Sequence, residues 1–182
     1  MPAKSMHSYD KTLYALLEAF NPKNVFEWGP GISTQIIALY PSVEKVVSVE
    51  HDEFFYDLVE RLSLDNVSLN IRQDMEEYVN FIGDSRYDLI FVDGRNRRNC
   101  LKVARNLTDL VVLHDAARLD YRDAVDDYRF QIWTDEGNTV VLTNSQEVYE
   151  KSKSVLCSIE CKKPNPEVIA IKKSALEKGY SV

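Results

Sequence analysis

The run Val25-Phe26-Glu27-Trp28-Gly29-Pro30-Gly31-Ile32-Ser33-Thr34 holds the residues best spaced for chemistry on a bound ligand. A short apolar stretch ends in an acid, two glycines follow one residue apart, and a helix start comes next. Glycine lets a chain turn sharply and lets a ligand reach main-chain N–H groups that a Cβ would shield. At the mouth of a parallel sheet such a turn cradles a nucleotide-like cofactor. A second acid, Glu50, closes the apolar run Val46-Val47-Ser48-Val49. It stands about 20 residues past the glycines, where a strand-end acid can accept hydrogen bonds from ribose hydroxyls. The spacing is Glu-x-Gly-x-Gly-x-Ser/Thr, with Thr34 where a dinucleotide fingerprint has its third glycine. An ordinary strand–helix turn also fits these residues, and Glu50 also suits a solvated strand end or the cap of a helix starting near Glu53. The two features together favour the ribose role.

The elements that must position these residues alternate. Tyr9–Phe20 carries Leu13, Leu16, Leu17 and Phe20 at helical spacing and stops at Asn21-Pro22. Val25–Trp28, Val46–Val49, Val67–Ile71, Tyr87–Val92 and Leu110–Leu113 read as strands, separated by helices over Ser33–Leu39, Glu53–Leu64, Met75–Ile82 and Leu101–Leu107. Strands alternating with helices imply a parallel sheet with right-handed crossovers. Phe130–Thr134 and Thr139–Thr143 flank Asp135-Glu136-Gly137-Asn138, a hairpin signal. The expected fold is α/β: a three-layer Rossmann-like sandwich with a mostly parallel seven-stranded sheet and a C-terminal antiparallel hairpin. In the tail, Val155–Ile159 and Val168–Ile171 read as strands around Lys162-Lys163-Pro164-Asn165-Pro166. The reading is one domain over 1–182, with a core at about 24–143 and a C-terminal extension at 145–182.

Composition fits such a domain. The chain has 182 residues, 45% hydrophobic, enough to bury a substantial core. No apolar run approaches the roughly 20 residues that span a bilayer, and Met1–His7 lacks an apolar signal core, so a cytoplasmic location without membrane contact is expected. Cys100, Cys157 and Cys161 form no even framework and read as reduced thiols. A net charge of −7 argues against general nucleic-acid binding. Seven of the ten arginines, however, fall within the 35 residues from Arg95 to Arg129.

In this order of elements the chain resembles the class I S-adenosylmethionine-dependent methyltransferases. The matching residues are Glu27-x-Gly29-x-Gly31-x-Ser33-Thr34, Glu50, Asp74, Val92-Asp93-Gly94 and His114-Asp115, each at the end of a strand. The resemblance covers about Asn24 to Thr143 and leans toward the small-molecule O-methyltransferases. It implies S-adenosylmethionine as cofactor. Gly29, Pro30 and Gly31 would then pack against its methionine and ribose, with Glu27 near the amino end and Ser33 and Thr34 beside them. Glu50 would hold the ribose hydroxyls, Asp74 and Met75 would contact the adenine, and His51 and Asp93 would also bind the cofactor. Asp74 equally suits the N-cap of the helix that follows it.

The same resemblance makes Asp93, His114 and Asp115 the candidates for catalysis. Methyl transfer is an in-line displacement, so the protein aligns acceptor and donor and handles the acceptor proton. Metal-dependent relatives hold Mg2+ through carboxylates after strands four and five, here Asp93 and Asp115. The match is partial, because Ala116 stands where such relatives place a further Asp or Asn. His114 would then be the general base, unless it is a packed histidine, and Asp115 could instead cap the next helix.

Arg95, Arg97 and Arg98 follow strand four, and Arg118 and Arg122 follow strand five, so they should gather at the acceptor pocket. Guanidinium groups pair bidentately with carboxylate and phosphate, which points to a small anionic acceptor bound by Arg95 and Arg118. The alternative is a solvated face balancing Asp120, Asp123, Asp126 and Asp127. Rival functions are an aminopropyltransferase, a non-catalytic S-adenosylmethionine-binding protein, or a nicotinamide-dependent oxidoreductase. For the last, Thr34 stands where the third glycine of the dinucleotide fingerprint would be. A homodimer through the tail or the N-terminal helix is a further expectation.

Overall fold

All four residues of Leu89–Val92 are buried, as a strand covered on both faces must be. Side chains alternate across a strand, so this segment feeds two cores. Ile90 and Val92 join Phe26, Trp28, Val111 and Leu113 on one side, while Leu89 and Phe91 join Val25, Val46 and Val112 on the other. Each fully buried aliphatic or aromatic side chain contributes about 1.5–3 kcal/mol, and both faces must therefore be roofed by helices. The computed structural model describes residues 9–134 and 138–157.

Within those residues the chain runs α1 (Asp10–Phe20), β1 (Asn24–Trp28), α2 (Ile32–Ala38), β2 (Lys45–Glu50), α3 (Glu53–Glu60), β3 (Val67–Ile71), α4 (Met75–Asn80) and β4 (Leu89–Val92). It continues through α5 (Arg97–Ala104), β5 (Val111–His114), a 3-10 turn (Leu119–Tyr121), α6 (Arg122–Asp126), β6 (Phe130–Thr134), β7 (Thr139–Thr143) and α7 (Gln146–Leu156). Helices α4, α5 and α6 cover one face through Tyr78, Leu101 and Val125; α1, α2 and α7 cover the other through Leu13, Ile37 and Leu156. No helix among the described residues is long and apolar enough to cross a membrane.

The sheet has seven strands in the order β3-β2-β1-β4-β5-β7-β6. The first five are parallel, and β7 pairs antiparallel with both β5 and β6. The α/β sandwich and its antiparallel end are as expected, although residues 135–137 of the hairpin loop lie outside the described residues. Strand order reverses between β1 and β4, so a crevice must open there beyond the carboxyl ends of the strands.

Two segments differ from the sequence reading. Val155 and Leu156, expected to open a strand, end helix α7; Val168–Ile171 and Cys161 lie outside the described residues. Residues 119–126, whose acids suggested a solvated helix face, form the 3-10 turn and α6, where Tyr121, Ala124 and Val125 are buried.

The glycine turn is shaped by β4 as much as by any ligand. Gly29 has φ +82°, and a Cβ there would lie 2.3 Å from the Gly94 nitrogen and 2.8 Å from the Asp93 carbonyl carbon. Gly31 is different: a Cβ there would meet nothing within 4 Å. Gly29→Ala is therefore expected to lower the unfolding free energy by roughly 2–5 kcal/mol through backbone strain and overlap. Gly31→Ala should cost about 1 kcal/mol or less, the scale of a lost N-cap preference. Urea unfolding of both variants checks the contrast.

Candidate active site

A cleft of about 800 Å3 lies at the strand reversal. Its floor is built by the turns after β1 and β4, its sides by the turns after β2 and β5, with Tyr9, Phe55, Leu58 and Tyr121 adding apolar wall. A second hollow, about 480 Å3, sits at the opposite strand ends between Lys23, Asp88 and Asp109. There Asp88 is occupied with the Lys23 and Asn24 backbone N–H groups, both at 2.9 Å, so that end serves to pin β1 to β4.

Several expected cofactor residues come together in the larger cleft: Gly29, Pro30, Gly31, Ser33, Glu50, His51 and Asp93 all line it. Glu50 is 3% exposed. Its Oε1 accepts from the His51 N–H at 2.7 Å and the Asp52 N–H at 3.0 Å, and lies 2.5 Å from His51 Nδ1. Those contacts load one oxygen and hold the carboxylate rigid. The helix cap is Asp52, whose Oδ1 accepts from the Phe54 N–H at 2.9 Å.

Glu27, Thr34, Asp74 and Met75 are placed elsewhere. Glu27 is fully buried behind the turn. It accepts from Ser33 Oγ at 2.5 Å, Thr34 Oγ1 at 2.7 Å and Ser48 Oγ at 2.9 Å. Burial pushes its carboxyl up to about 7, with the three hydroxyls pulling the other way. Thr34 Oγ1 also accepts from the Gly31 N–H at 2.9 Å, so this acid acts on the turn through the hydroxyls that fix it. Asp74 is exposed and caps α4, accepting from the Glu76 and Glu77 N–H groups at 2.9 and 3.0 Å. Met75 packs against the core beneath α4. Neither lines the cleft.

At the other end of the cleft the turns after β4 and β5 bring the catalytic candidates together. One ligand atom from each of Asp93, His114 and Asp115 lies within 4.8 Å of the others. His114 Nδ1 is 2.9 Å from Asp93 Oδ1, and Nε2 is 3.1 Å from Asn138 Nδ2. A carboxylate accepts only, so Nδ1 carries the proton and Nε2 presents its lone pair. The Tyr9 ring packs edge-on against the imidazole at 4.7 Å. Asp115 adopts φ +54°, an unusual turn for a residue with a Cβ. It caps no helix; its carboxylate bonds Arg118 Nη2 at 2.6 Å, and its carbonyl accepts from the Tyr121 hydroxyl. Burial pushes its carboxyl up, but facing His114, Arg97 and Arg118 outweigh that and hold it below the ordinary value.

Arg97 is the residue that spacing alone did not single out. Its side chain is 10% exposed and sits between the two carboxylates. Nε donates to the Gly94 carbonyl at 2.8 Å, and Nη1 to the His114 carbonyl at 2.6 Å. Nη2 donates to the Asp93 carbonyl at 2.6 Å and to Asp93 Oδ1 at 2.9 Å. Nη1 also lies 3.3 Å from Asp115 Oδ2. The other arginines divide. Arg98 pairs with Asp123 at 2.6 Å, and Arg122 with Asp126 at 3.3 Å while stacking over Trp133. Arg95 lines the cleft and is exposed, with no ion pair among the described residues.

This arrangement can be compared with known proteins. No family model matches the chain, and no curated protein matches it in sequence. Solved structures do. A methyltransferase-like protein from Silicibacter pomeroyi superposes over 95% of this chain and 96% of its own, with TM-score 0.61 at 14% identity. The O-methyltransferase TomG from Streptomyces achromogenes, solved in complex with SAM, matches 80% of this chain and 84% of its own, with TM-score 0.53 at 17% identity. The chain shares the fold of these two proteins. Spermidine synthase from Thermotoga maritima has it too, matching 93% of this chain and 75% of its own with TM-score 0.55 at 15% identity. The fold alone therefore spans more than one reaction.

Proposed function

We propose that the chain is an S-adenosylmethionine-dependent methyltransferase that methylates oxygen on a small anionic acceptor. One observation carries the reading: at the strand reversal of a methyltransferase fold, an open glycine position beside a rigid buried acid leads along one cleft to an Asp–His pair. The cofactor fits the near end. Gly31 leaves room for close approach to the backbone, Glu50 offers a fixed carboxylate to ribose hydroxyls, and Phe55 and Leu58 supply apolar cover. When bound, S-adenosylmethionine supplies an electrophilic methyl group.

The chain's own residues do the rest. Asp93 orients the imidazole so that Nε2 of His114 faces an incoming hydroxyl, which takes over the place of the Asn138 amide. Nε2 removes the acceptor proton as oxygen attacks, and Asp93 stabilises the imidazolium that forms. Arg95, exposed in the cleft and unpaired among the described residues, supplies the charge that draws in an anion. Arg118 shares its charge with Asp115 and contributes less.

Incubation with methyl-labelled S-adenosylmethionine and a panel of hydroxylated acids, followed by product analysis, tests the reaction. Methylated product supports it; no transfer from S-adenosylmethionine, with an aminopropyl adduct formed in a parallel incubation with its decarboxylated form, moves the chain to the rival reaction. Within the panel, Arg95→Ala is expected to raise KM for phosphate- or carboxylate-bearing acceptors by roughly 10–100-fold, the scale of one charge-assisted hydrogen bond. The affinity for S-adenosylhomocysteine should stay unchanged. Equal use of neutral and charged acceptors by the parent chain would remove the anion from the account.

A further inference from the structure

Asp93 and Asp115 are the carboxylates that would hold a divalent ion, and Arg97 already stands between them. The guanidinium has five N–H donors. Its contacts use them all: three main-chain carbonyls, those of Asp93, Gly94 and His114, one oxygen of Asp93, and the Tyr121 hydroxyl at 3.4 Å, with Asp115 Oδ2 ion-paired at 3.3 Å. A magnesium ion needs near-octahedral oxygen ligands at about 2.0–2.1 Å and keeps several waters. Here Asp93 Oδ1 is shared between Arg97 Nη2 and His114 Nδ1, both at 2.9 Å. Arg97 thus already supplies positive charge to one oxygen of each carboxylate. Expelling Arg97 would also strip three carbonyls of the turns after β4 and β5 of their donor.

We propose that Arg97 is the resident cation of the acceptor site, taking the place of a divalent metal between Asp93 and Asp115. The positive charge is thus part of the chain. It balances the two acids, and because its donors are spent on the protein it positions Asp93 against His114 and binds no substrate atom. The catalytic consequence rests on the methyl-transfer reading; the occupancy of the carboxylate pair does not.

The test separates the two. Mn2+ titration followed by electron paramagnetic resonance uses the metal alone and needs no turnover. The parent chain is expected to leave the free Mn2+ signal unchanged at this pair. Arg97→Met removes the charge while keeping length. It should create one Mn2+ site per chain, at least about tenfold tighter than anything in the parent, and adding Asp93→Asn should abolish it. Should circular dichroism show Arg97→Met unfolded, Arg97→Gln, which keeps polar contact with the turn carbonyls, takes its place. A purely structural arginine would leave Mn2+ affinity unmoved by either replacement, and that result overturns the proposal. So does a stoichiometric Mn2+ site in the parent chain that Asp93→Asn destroys. In the methyl-transfer assay, turnover insensitive to chelator is the expected result; loss on chelation with recovery on added Mg2+ contradicts it.

Discussion

His114→Ala is expected to lower methyl-transfer turnover by roughly 10²–10⁴, the range that loss of a positioned general base produces. The imidazole is not an incidental core residue. It lines the cleft, is 17% exposed, and is held on three sides by Asp93, Asn138 and the Tyr9 ring. Asp93→Asn should reproduce part of the loss, since an amide facing Nδ1 no longer fixes the tautomer with a free Nε2 lone pair. Cofactor affinity should be almost unchanged in His114→Ala, because the residue belongs to the acceptor end. Steady-state rates at saturating acceptor, with S-adenosylhomocysteine affinity measured alongside, check both halves. Turnover unchanged in His114→Ala would assign the imidazole to packing.

The second large effect lies at the other end of the cleft. Gly31→Val should abolish S-adenosylmethionine binding while leaving a folded protein. A Cβ at this position meets no chain atom within 4 Å, so the branched side chain projects into the cleft and not into the sheet. Gly31 has an extended φ of −172°, which any residue can adopt. The same substitution at Gly29 could not be read this way, because backbone of the β4 turn sits 2.3 Å from its Cβ position. Circular dichroism and ligand titration on Gly31→Val together check the claim. A folded variant with parent-like affinity would place the cofactor elsewhere.

The strands of the parallel sheet were legible because continuous apolar runs such as Leu89–Val92 can only be buried on both faces. The β6–β7 pairing was legible from two short strand-like runs around a turn signal. Helix α7 was not, and its residues explain why. Val148, Ser152 and Leu156 recur every four residues on the face turned to the core, but Ser152, fully buried, breaks the apolar stripe. Without that stripe, Val155 reads as the start of a strand. The strand-end acids were visible as a set, yet what each one faces depends on neighbours in space. Ser48 stands opposite Glu27 in the β1–β2 register, and with Ser33 and Thr34 it turns that acid into a buried support. Arg97 was one arginine among several in the sequence. Its role follows from bridging Asp93, four residues before it, to Asp115, which arrives from the next strand and which no local spacing connects to it.

Isothermal titration of the parent chain with S-adenosylhomocysteine tests the central claim most directly. The account predicts one site per chain, lost in Gly31→Val. No heat with either S-adenosylhomocysteine or S-adenosylmethionine, from a chain that is folded, would contradict it.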